Sequence, residues 1–96
     1  MINIGIIGYG YWGPNLVRNF NETKGISVCQ VSDLEEKKLQ LVRARYPRID
    51  ITTESDEIIF NKSIDAVVIA TQVSTHYKLA LKSLNAGKHV LIEKPM

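Results

Sequence analysis

Three glycines follow the apolar run Ile2–Ile7 at a spacing suited to phosphate binding: Gly8, Gly10 and Gly13, with Asp33 twenty residues beyond the last of them. The first glycine of such a turn allows a tight reversal, the second lets the backbone approach a pyrophosphate, and the third lets a helix pack against the strand. The helix that follows presents free N–H groups and a partial positive charge to the phosphates. The strand before, the helix after and the distant acid favour a dinucleotide-binding turn over a purely structural one.

The end of the second predicted strand, at Asp33 and Leu34, indicates which cofactor is bound. An aspartate there can accept hydrogen bonds from both hydroxyls of the adenosine ribose, and its charge repels a 2′-phosphate. No arginine adjoins Leu34 to neutralise that phosphate, so the sequence predicts NAD in preference to NADP. Alternatively, Asp33 caps the helix that starts near Glu35, and the two roles are compatible.

The glycine turn and a later helix contain further candidate cofactor-binding residues. Tyr11 and Trp12 occupy the variable positions before the third glycine. Their backbone N–H groups would face the pyrophosphate, whereas the Trp12 side chain is expected to pack in the core. His76 lies in the first turn of a predicted helix, where the helix dipole favours a neutral imidazole. A local hydrogen bond is the alternative role for His76, and His89 is expected to be structural.

Lys94 is the residue with a catalytic assignment. It stands between Glu93 and Pro95, just after the last predicted strand. Its ammonium could reach the nicotinamide end of a cofactor cleft and polarise or protonate an oxygen undergoing hydride transfer. Glu93 could hold Lys94 by charge or bind the nicotinamide ribose. Taken alone, a Glu-Lys pair is usually a surface ion pair of little consequence.

Strand-like and helix-like segments alternate along the whole chain. The predicted strands are Ile2–Ile7, Ile26–Ser32, Ile49–Thr52, Asp65–Ala70 and His89–Ile92. The predicted helices run from Pro14 to Asn21 or Glu22, from Glu35 to Tyr46, from a cap at Ser55 to Phe60, and from Ser74 or Thr75 to a left-handed Gly87. The last helix is expected to face inward through Tyr77, Leu81 and either Leu84 or Ala80.

This alternation predicts an α/β fold of three layers: a Rossmann-type parallel sheet of about five strands in the order 3-2-1-4-5, with helices on both faces. Ligand binds such a sheet at the carboxyl ends of strands one and four, where the strand order reverses. The candidate segments all follow strands, and we expect them to meet in that cleft: Gly8–Gly13, Asp33, Thr71–His76 and Glu93–Pro95.

Bulk properties restrict the function classes. The chain has 96 residues, enough for one domain, and a net charge of +2 from scattered basic residues, so nothing indicates nucleic-acid binding. Lys37, Lys38 and the nearby arginines are expected to be a solvated helix face. No apolar run approaches the ~18 residues of a membrane span and no signal peptide opens the chain, which predicts a cytoplasmic protein. The single Cys29 is expected to be a buried, inert thiol.

Several longer motifs resemble one enzyme family. The segments Ala70–His76, Ala86–Val90 and Glu93–Pro95, together with the opening Gly8–Asn15, are similar to the glucose–fructose oxidoreductase and inositol dehydrogenase family, Gfo/Idh/MocA. The resemblance implies NAD(P) bound by the glycine turn, Asp33, Thr71, Gln72, His76, Glu93 and Lys94, with Lys94 as the active-site lysine. Gln72 replaces a proline that is usual in the family, which puts the rigidity of that loop in doubt.

Family members continue past Glu-Lys-Pro into a second α/β domain that contacts substrate, so the resemblance implies that residues 1–96 are the N-terminal NAD(P)-binding domain alone. The function expected is the NAD-binding portion of an oxidoreductase acting on a sugar, nucleotide-sugar or cyclitol hydroxyl, inactive by itself. The alternative is a free-standing nucleotide-binding or redox-sensing module; Glu93 and Lys94, which a sensor would not need, favour the first. An exposed last strand predicts a homo-oligomer built around residues 88–96.

Overall fold

A computed structural model describes residues 1–10 and 13–92. In these residues strands and helices alternate, as the sequence predicts, and most predicted bounds agree to within one or two residues. The strands are β1 (Ile2–Ile7), β2 (Ile26–Ser32), β3 (Asp50–Thr52), β4 (Ala66–Ile69) and β5 (His89–Ile92). The helices are α1 (Gly13–Asn21), α2 (Glu36–Arg45), α3 (Ser55–Ile59) and α4 (Val73–Asn85).

The strands form one parallel sheet in the order β3-β2-β1-β4-β5, which confirms the predicted topology. Helices α1 and α2 cover one face of the sheet, where Val17, Leu39 and Val42 are buried against the strands. Helices α3 and α4 cover the other face, where Ile58 and Ile59 are buried. The strand order reverses between β1 and β4, so a crevice opens at the carboxyl ends of these two strands.

Cys29 lies at an irregularity between β1 and β2. Ile4 pairs with Val28 and the next residue, Gly5, pairs with Gln30, so Cys29 has no partner on β1. An extra residue in one strand locally disturbs the ladder and re-aims the side chains. The thiol is therefore only half-buried, packed at the side of the core, and the expectation of a buried cysteine was wrong.

Helix α4 buries a different stripe from the one predicted. His76, Ala80 and Ser83 face the sheet, whereas Tyr77 is 78% exposed, Leu81 46% and Leu84 58%. The prediction of Ala80 was correct, but Tyr77, Leu81 and Leu84 were wrongly placed inside. The two stripes are offset by one residue and have the same helical period, so periodicity does not choose between them. Two of the three buried residues, Ala80 and Ser83, have small side chains, which suits close packing of this part of the helix on the sheet.

The predicted cap of α4 is present in the structure, whereas the predicted cap of α3 is not. Gly87 has φ of +82°, as expected of a left-handed cap, and the Gly87 and Lys88 N–H groups bond to the last carbonyls of α4. Ser55, in contrast, does not cap α3: the capping position is Glu54, which makes no side-chain capping bond. The Thr52 hydroxyl, at the end of β3, accepts a hydrogen bond from the Glu54 N–H instead, at 3.0 Å.

Candidate dinucleotide-binding site

The turn after β1 depends on Gly8. Its φ is +101°, a conformation that L side chains rarely adopt, and a Cβ there would lie 2.8 Å from the Ala70 carbonyl oxygen. The Gly8 N–H donates to the Ser32 carbonyl oxygen at 2.8 Å. The backbone of this turn is thus wedged between the ends of β2 and β4, and only glycine fits.

The other two glycines of the motif have different neighbours. A Cβ on Gly13 would lie 3.1 Å from Tyr9 Cδ1 and 3.2 Å from the Gly8 carbonyl oxygen, so Gly13 lets α1 approach the turn closely. A Cβ on Gly10 would meet only the Lys38 ammonium, at 3.9 Å, so the Gly10 backbone borders open space. The close packing of Gly13 is of the kind predicted for the third glycine, whereas the role of Gly10 beside a pyrophosphate stays a prediction. Tyr11 and Trp12 lie outside the described residues.

Asp33 joins the glycine turn to the start of α2. One carboxylate oxygen accepts a hydrogen bond from the Tyr9 N–H at 2.7 Å, and the other accepts from the Glu35 N–H at 2.8 Å. An ionised carboxylate offers about four acceptor positions, so these two bonds leave capacity for further donors such as ribose hydroxyls. Asp33 therefore orients the loop before α2, but the capping position of that helix is Glu35, which makes no side-chain capping bond, so the alternative prediction of a cap at Asp33 was wrong. Asp33 is half-buried.

The loop after β4 is held by side-chain hydrogen bonds. The Thr71 and Thr75 hydroxyl oxygens are 2.6 Å apart, and the Thr75 hydroxyl also donates to the Gln72 carbonyl oxygen at 2.8 Å. His76 Nε2 lies 2.6 Å from the Thr71 carbonyl oxygen. A carbonyl only accepts, so Nε2 carries the proton in this bond. Gln72 has φ of −63°, the angle that proline imposes, and the loop keeps this geometry without a proline.

A cleft of about 850 Å³ opens where these segments meet. Six of the residues predicted to bind cofactor line it: Gly8, Gly10, Asp33, Leu34, Thr71 and Gln72. Two predicted residues lie behind the cleft wall: Gly13 packs against Tyr9, and His76 is buried with its ring bonded to Thr71. Glu93 and Lys94 lie outside the described residues, so the structure does not locate the predicted catalytic lysine.

Sequence reasoning missed Lys38, which it assigned to a solvated helix face. Its ammonium lies 2.7 Å from a Glu35 carboxylate oxygen, and both residues line the cleft. The hydrogen bond with Glu35 is the main cause that raises the pKa of Lys38; burial opposes it, and the negative charges of Asp33 and Glu35 add to the increase. The i, i+3 spacing of Glu35 and Lys38 in the turn after Asp33 was the available signal.

Two buried hydroxyls at the carboxyl ends of neighbouring strands differ in their partners. The Thr52 hydroxyl donates to Glu57 Oε2 at 2.7 Å while accepting from the Glu54 N–H. The Ser32 hydroxyl is buried and has no hydrogen-bond partner among the residues that the structure describes. The Thr52 hydroxyl thus connects the end of β3 to α3 by hydrogen bonds, whereas the Ser32 hydroxyl makes no such connection among the described residues.

Residues 1–10 and 13–92 contain no helix long and apolar enough to cross a membrane. The same part of the chain holds no group of three or more His, Cys, Asp or Glu side chains that could bind a metal ion.

The sequence and the fold match known proteins over nearly the whole chain. Inositol 2-dehydrogenase 2 from Paenarthrobacter aurescens is 38% identical over 96 residues, which is 99% of this chain and 28% of that protein. The scyllo-inositol 2-dehydrogenase (NADP(+)) IolW from Bacillus subtilis is 30% identical over 95 residues, covering 99% of this chain and 26% of that protein.

The fold is similar to a solved structure, scyllo-inositol dehydrogenase from Lactobacillus casei with bound cofactor NAD(H) and scyllo-inositol, at a TM-score of 0.90 and 27% identity. That similarity covers 99% of this chain and 28% of the other. The present chain therefore spans little more than a quarter of the length of these relatives. Residues 2–96 match the oxidoreductase family with the NAD-binding Rossmann fold, and the chain belongs to this family, Gfo/Idh/MocA.

Proposed function

We propose that this chain is the nicotinamide-dinucleotide-binding part of an oxidoreductase that transfers hydride between a ring hydroxyl of a cyclitol or sugar and the cofactor. The observation that carries the proposal is the convergence of Gly8, Gly10 and Asp33 on one cleft at the strand ends. The relatives named as inositol dehydrogenases support the cyclitol class.

The phosphates of the cofactor are proposed to lie over the glycine turn. The open space at Gly10 leaves the backbone accessible there, and the N-terminus of α1 attracts negative charge. The adenosine ribose is proposed to lie at Asp33, whose carboxylate the Tyr9 and Glu35 N–H groups already orient. Leu34 is 91% exposed at the rim of the cleft and would cover one side of the adenine.

NAD is proposed as the preferred cofactor, because the Asp33 charge opposes a 2′-phosphate. One relative is named for NADP(+), so membership of the family does not decide between NAD and NADP. The preference must come from the residues that line this cleft. Calorimetric titration with NADH and NADPH tests it. We expect tighter NADH binding by the unmodified chain, and a smaller difference for Asp33→Asn. Asp50→Asn, an exposed carboxylate outside the cleft, is the control. Equal or tighter NADPH binding by the unmodified chain would refute the assignment of Asp33.

Lys94 is proposed as the catalytic residue, on the strength of the family resemblance. When bound, the nicotinamide ring supplies the hydride acceptor, and Lys94 would polarise or protonate the reacting oxygen. Residues 1–96 by themselves are expected to show no turnover, because positioning a substrate contributes several kcal/mol to lowering a barrier. An assay with inositols, sugars and nucleotide-sugars tests this, with Lys94→Met as the control. Reproducible NADH formation that disappears in Lys94→Met would contradict the expectation.

Self-association through β5 is also proposed. Leu91 is 48% exposed and Ile92 41%, and β5 is an outer strand of the sheet as described. An apolar outer strand is a template for pairing with another copy. Light scattering on the purified chain should show a dimer or larger assembly that Ile92→Lys weakens. Leu41→Lys, at a position 64% exposed on α2, should have no effect. A monomer at high micromolar concentration would refute the proposal.

A cytoplasmic location remains a prediction from the sequence, and subcellular fractionation of the source cells would test it.

A further inference from the structure

The ion pair between Lys38 and Glu35 stands at the rim where a ribose would bind. The two charged atoms are 2.7 Å apart. Both residues line the cleft together with Gly10 and Asp33, and the ammonium lies 3.9 Å from the position that a Cβ on Gly10 would occupy. Lys38 thus faces the space between the glycine turn and the Asp33 carboxylate.

The neighbouring charged residues on the same segment do not share this position. Glu36 and Lys37 are exposed and do not line the cleft. Elsewhere on the cleft wall, Lys78 and Lys82 lie on α4, and Lys82 is paired with Asp56 at 2.6 Å. Lys38 is therefore the cation that borders both the glycine turn and the Asp33 end of the cleft among the residues described.

The charges at this rim leave an excess of negative charge. Asp33 and Glu35 contribute two negative charges and Lys38 one positive charge, so the group carries a net charge of −1 around the ribose position. The ammonium already has a carboxylate partner, which reduces the attraction it can offer to a second anion. A 2′-phosphate that entered here would meet two carboxylates and a cation that is already engaged.

We propose that Glu35 is a specificity-determining residue for the cofactor: by pairing with Lys38, it prevents that lysine from accepting a 2′-phosphate. The inference rests on the proposed function, since it concerns the adenosine end of the same cleft. Lys38 is a latent phosphate-binding residue, suppressed by Glu35, and the exclusion of NADP depends on two carboxylates rather than on Asp33 alone.

The decisive variant is Glu35→Gln, which removes the charge and keeps the shape. NMR titration suits this experiment because it follows weak binding, with NADH and NADPH as ligands and with 5′-AMP and 2′,5′-ADP as fragments that differ by the 2′-phosphate. We expect the NADPH-to-NADH affinity ratio to rise about tenfold in Glu35→Gln, as expected from one unit charge removed near a partly exposed phosphate. The fragments should show the same change.

Two controls separate this effect from a general change of charge. Glu36→Gln alters the net charge equally, one residue further along, and should leave the ratio within about twofold of the unmodified chain, because exposed charges at a distance are screened. The double variant Glu35→Gln/Lys38→Met should return the ratio to that of the unmodified chain, since the gain requires the freed ammonium.

The outcomes distinguish the inference from the proposed function. Binding of NADH with the same ratio in Glu35→Gln and Glu36→Gln would overturn the role of Glu35 and leave the cofactor site intact. An equal loss of NADH and NADPH affinity in Lys38→Met would place Lys38 on a phosphate common to both cofactors, and would also overturn the inference. Failure of the unmodified chain to bind either dinucleotide would contradict the proposed function itself.

Discussion

The two outer strands of the sheet, β3 and β5, differ in the polarity and the exposure of their residues. Strand β3 has three residues and ends in Thr52, which is 8% exposed. The Thr52 hydroxyl forms hydrogen bonds with both Glu54 and Glu57. The Thr52 backbone carbonyl oxygen accepts a hydrogen bond from the Asp33 N–H at 3.2 Å. The end of this edge is short and polar, which is how proteins discourage pairing with another chain.

Strand β5 is mostly apolar, and three of its four residues are exposed among the residues that the structure describes. Its sequence His89–Ile92 pairs in register with Ala66–Ile69 of β4, yet only Val90 packs against the core, while Leu91 and Ile92 stay largely exposed. Near it, α4 turns Tyr77 and Leu84 outward. The polar β3 side carries the adenosine end of the proposed site, whereas the apolar β5 side is the surface on which we propose association.

The largest expected effect separates two isoleucines that are partners in the sheet. Ile69 is fully buried and Ile92 is 41% exposed, although they pair across β4 and β5. Ile69→Ala should lower the free energy of unfolding by about 2–5 kcal/mol, because it leaves a cavity, and Ile92→Ala by less than about 1 kcal/mol. Denaturant unfolding measures both.

Ile69→Val, expected to cost about 0.5–1.5 kcal/mol, replaces Ile69→Ala if the alanine variant does not fold. If Ile69→Ala and Ile92→Ala lowered the free energy of unfolding equally, β5 would have to be covered in solution. The exposed strand β5 would then not differ from the buried interior.

A smaller effect tests the polar end of β3. Thr52→Val keeps the shape of the side chain and removes the hydroxyl that serves Glu54 and Glu57. We expect a loss of about 1 kcal/mol in the free energy of unfolding, since both partners are exposed enough to recover water. Thr53→Val, at the exposed neighbouring position, should change stability by less than about 0.5 kcal/mol. Similar values for the two variants would show that the hydrogen bonds of Thr52 do not stabilise this edge.

The smallest expected effect concerns the loop between β4 and α4. Gln72 already has φ of −63°, so Gln72→Pro should raise the free energy of unfolding by about 0.4–1 kcal/mol by restricting the unfolded chain. Gln72→Ala, which lacks the restriction, should leave stability nearly unchanged. Thermal unfolding of the two variants decides, and a destabilised proline variant would mean that the loop needs the freedom or the N–H of Gln72.

Much of the cleft could be predicted because its residues follow strands. Gly8, Asp33 and Thr71 come directly after or close to the ends of β1, β2 and β4, and the carboxyl ends of parallel strands share one edge of the sheet. Convergence therefore follows from topology. Lys38 could not be separated from Lys37 in this way, because both lie in the first turn of α2 and only the position of the helix against the glycine turn distinguishes them.

The sequence by itself determined the kind and order of the elements and the positions of the special turns. Apolar runs, helical periods and glycines are local signals, so β1 and β2 end where predicted and Gly8 and Gly87 have positive φ. Tertiary packing alone decided which face of α4 is buried and where Cys29 lies relative to β1. These outcomes depend on how closely a helix approaches the sheet and on strand register, both of which arise from contacts between residues distant in the chain.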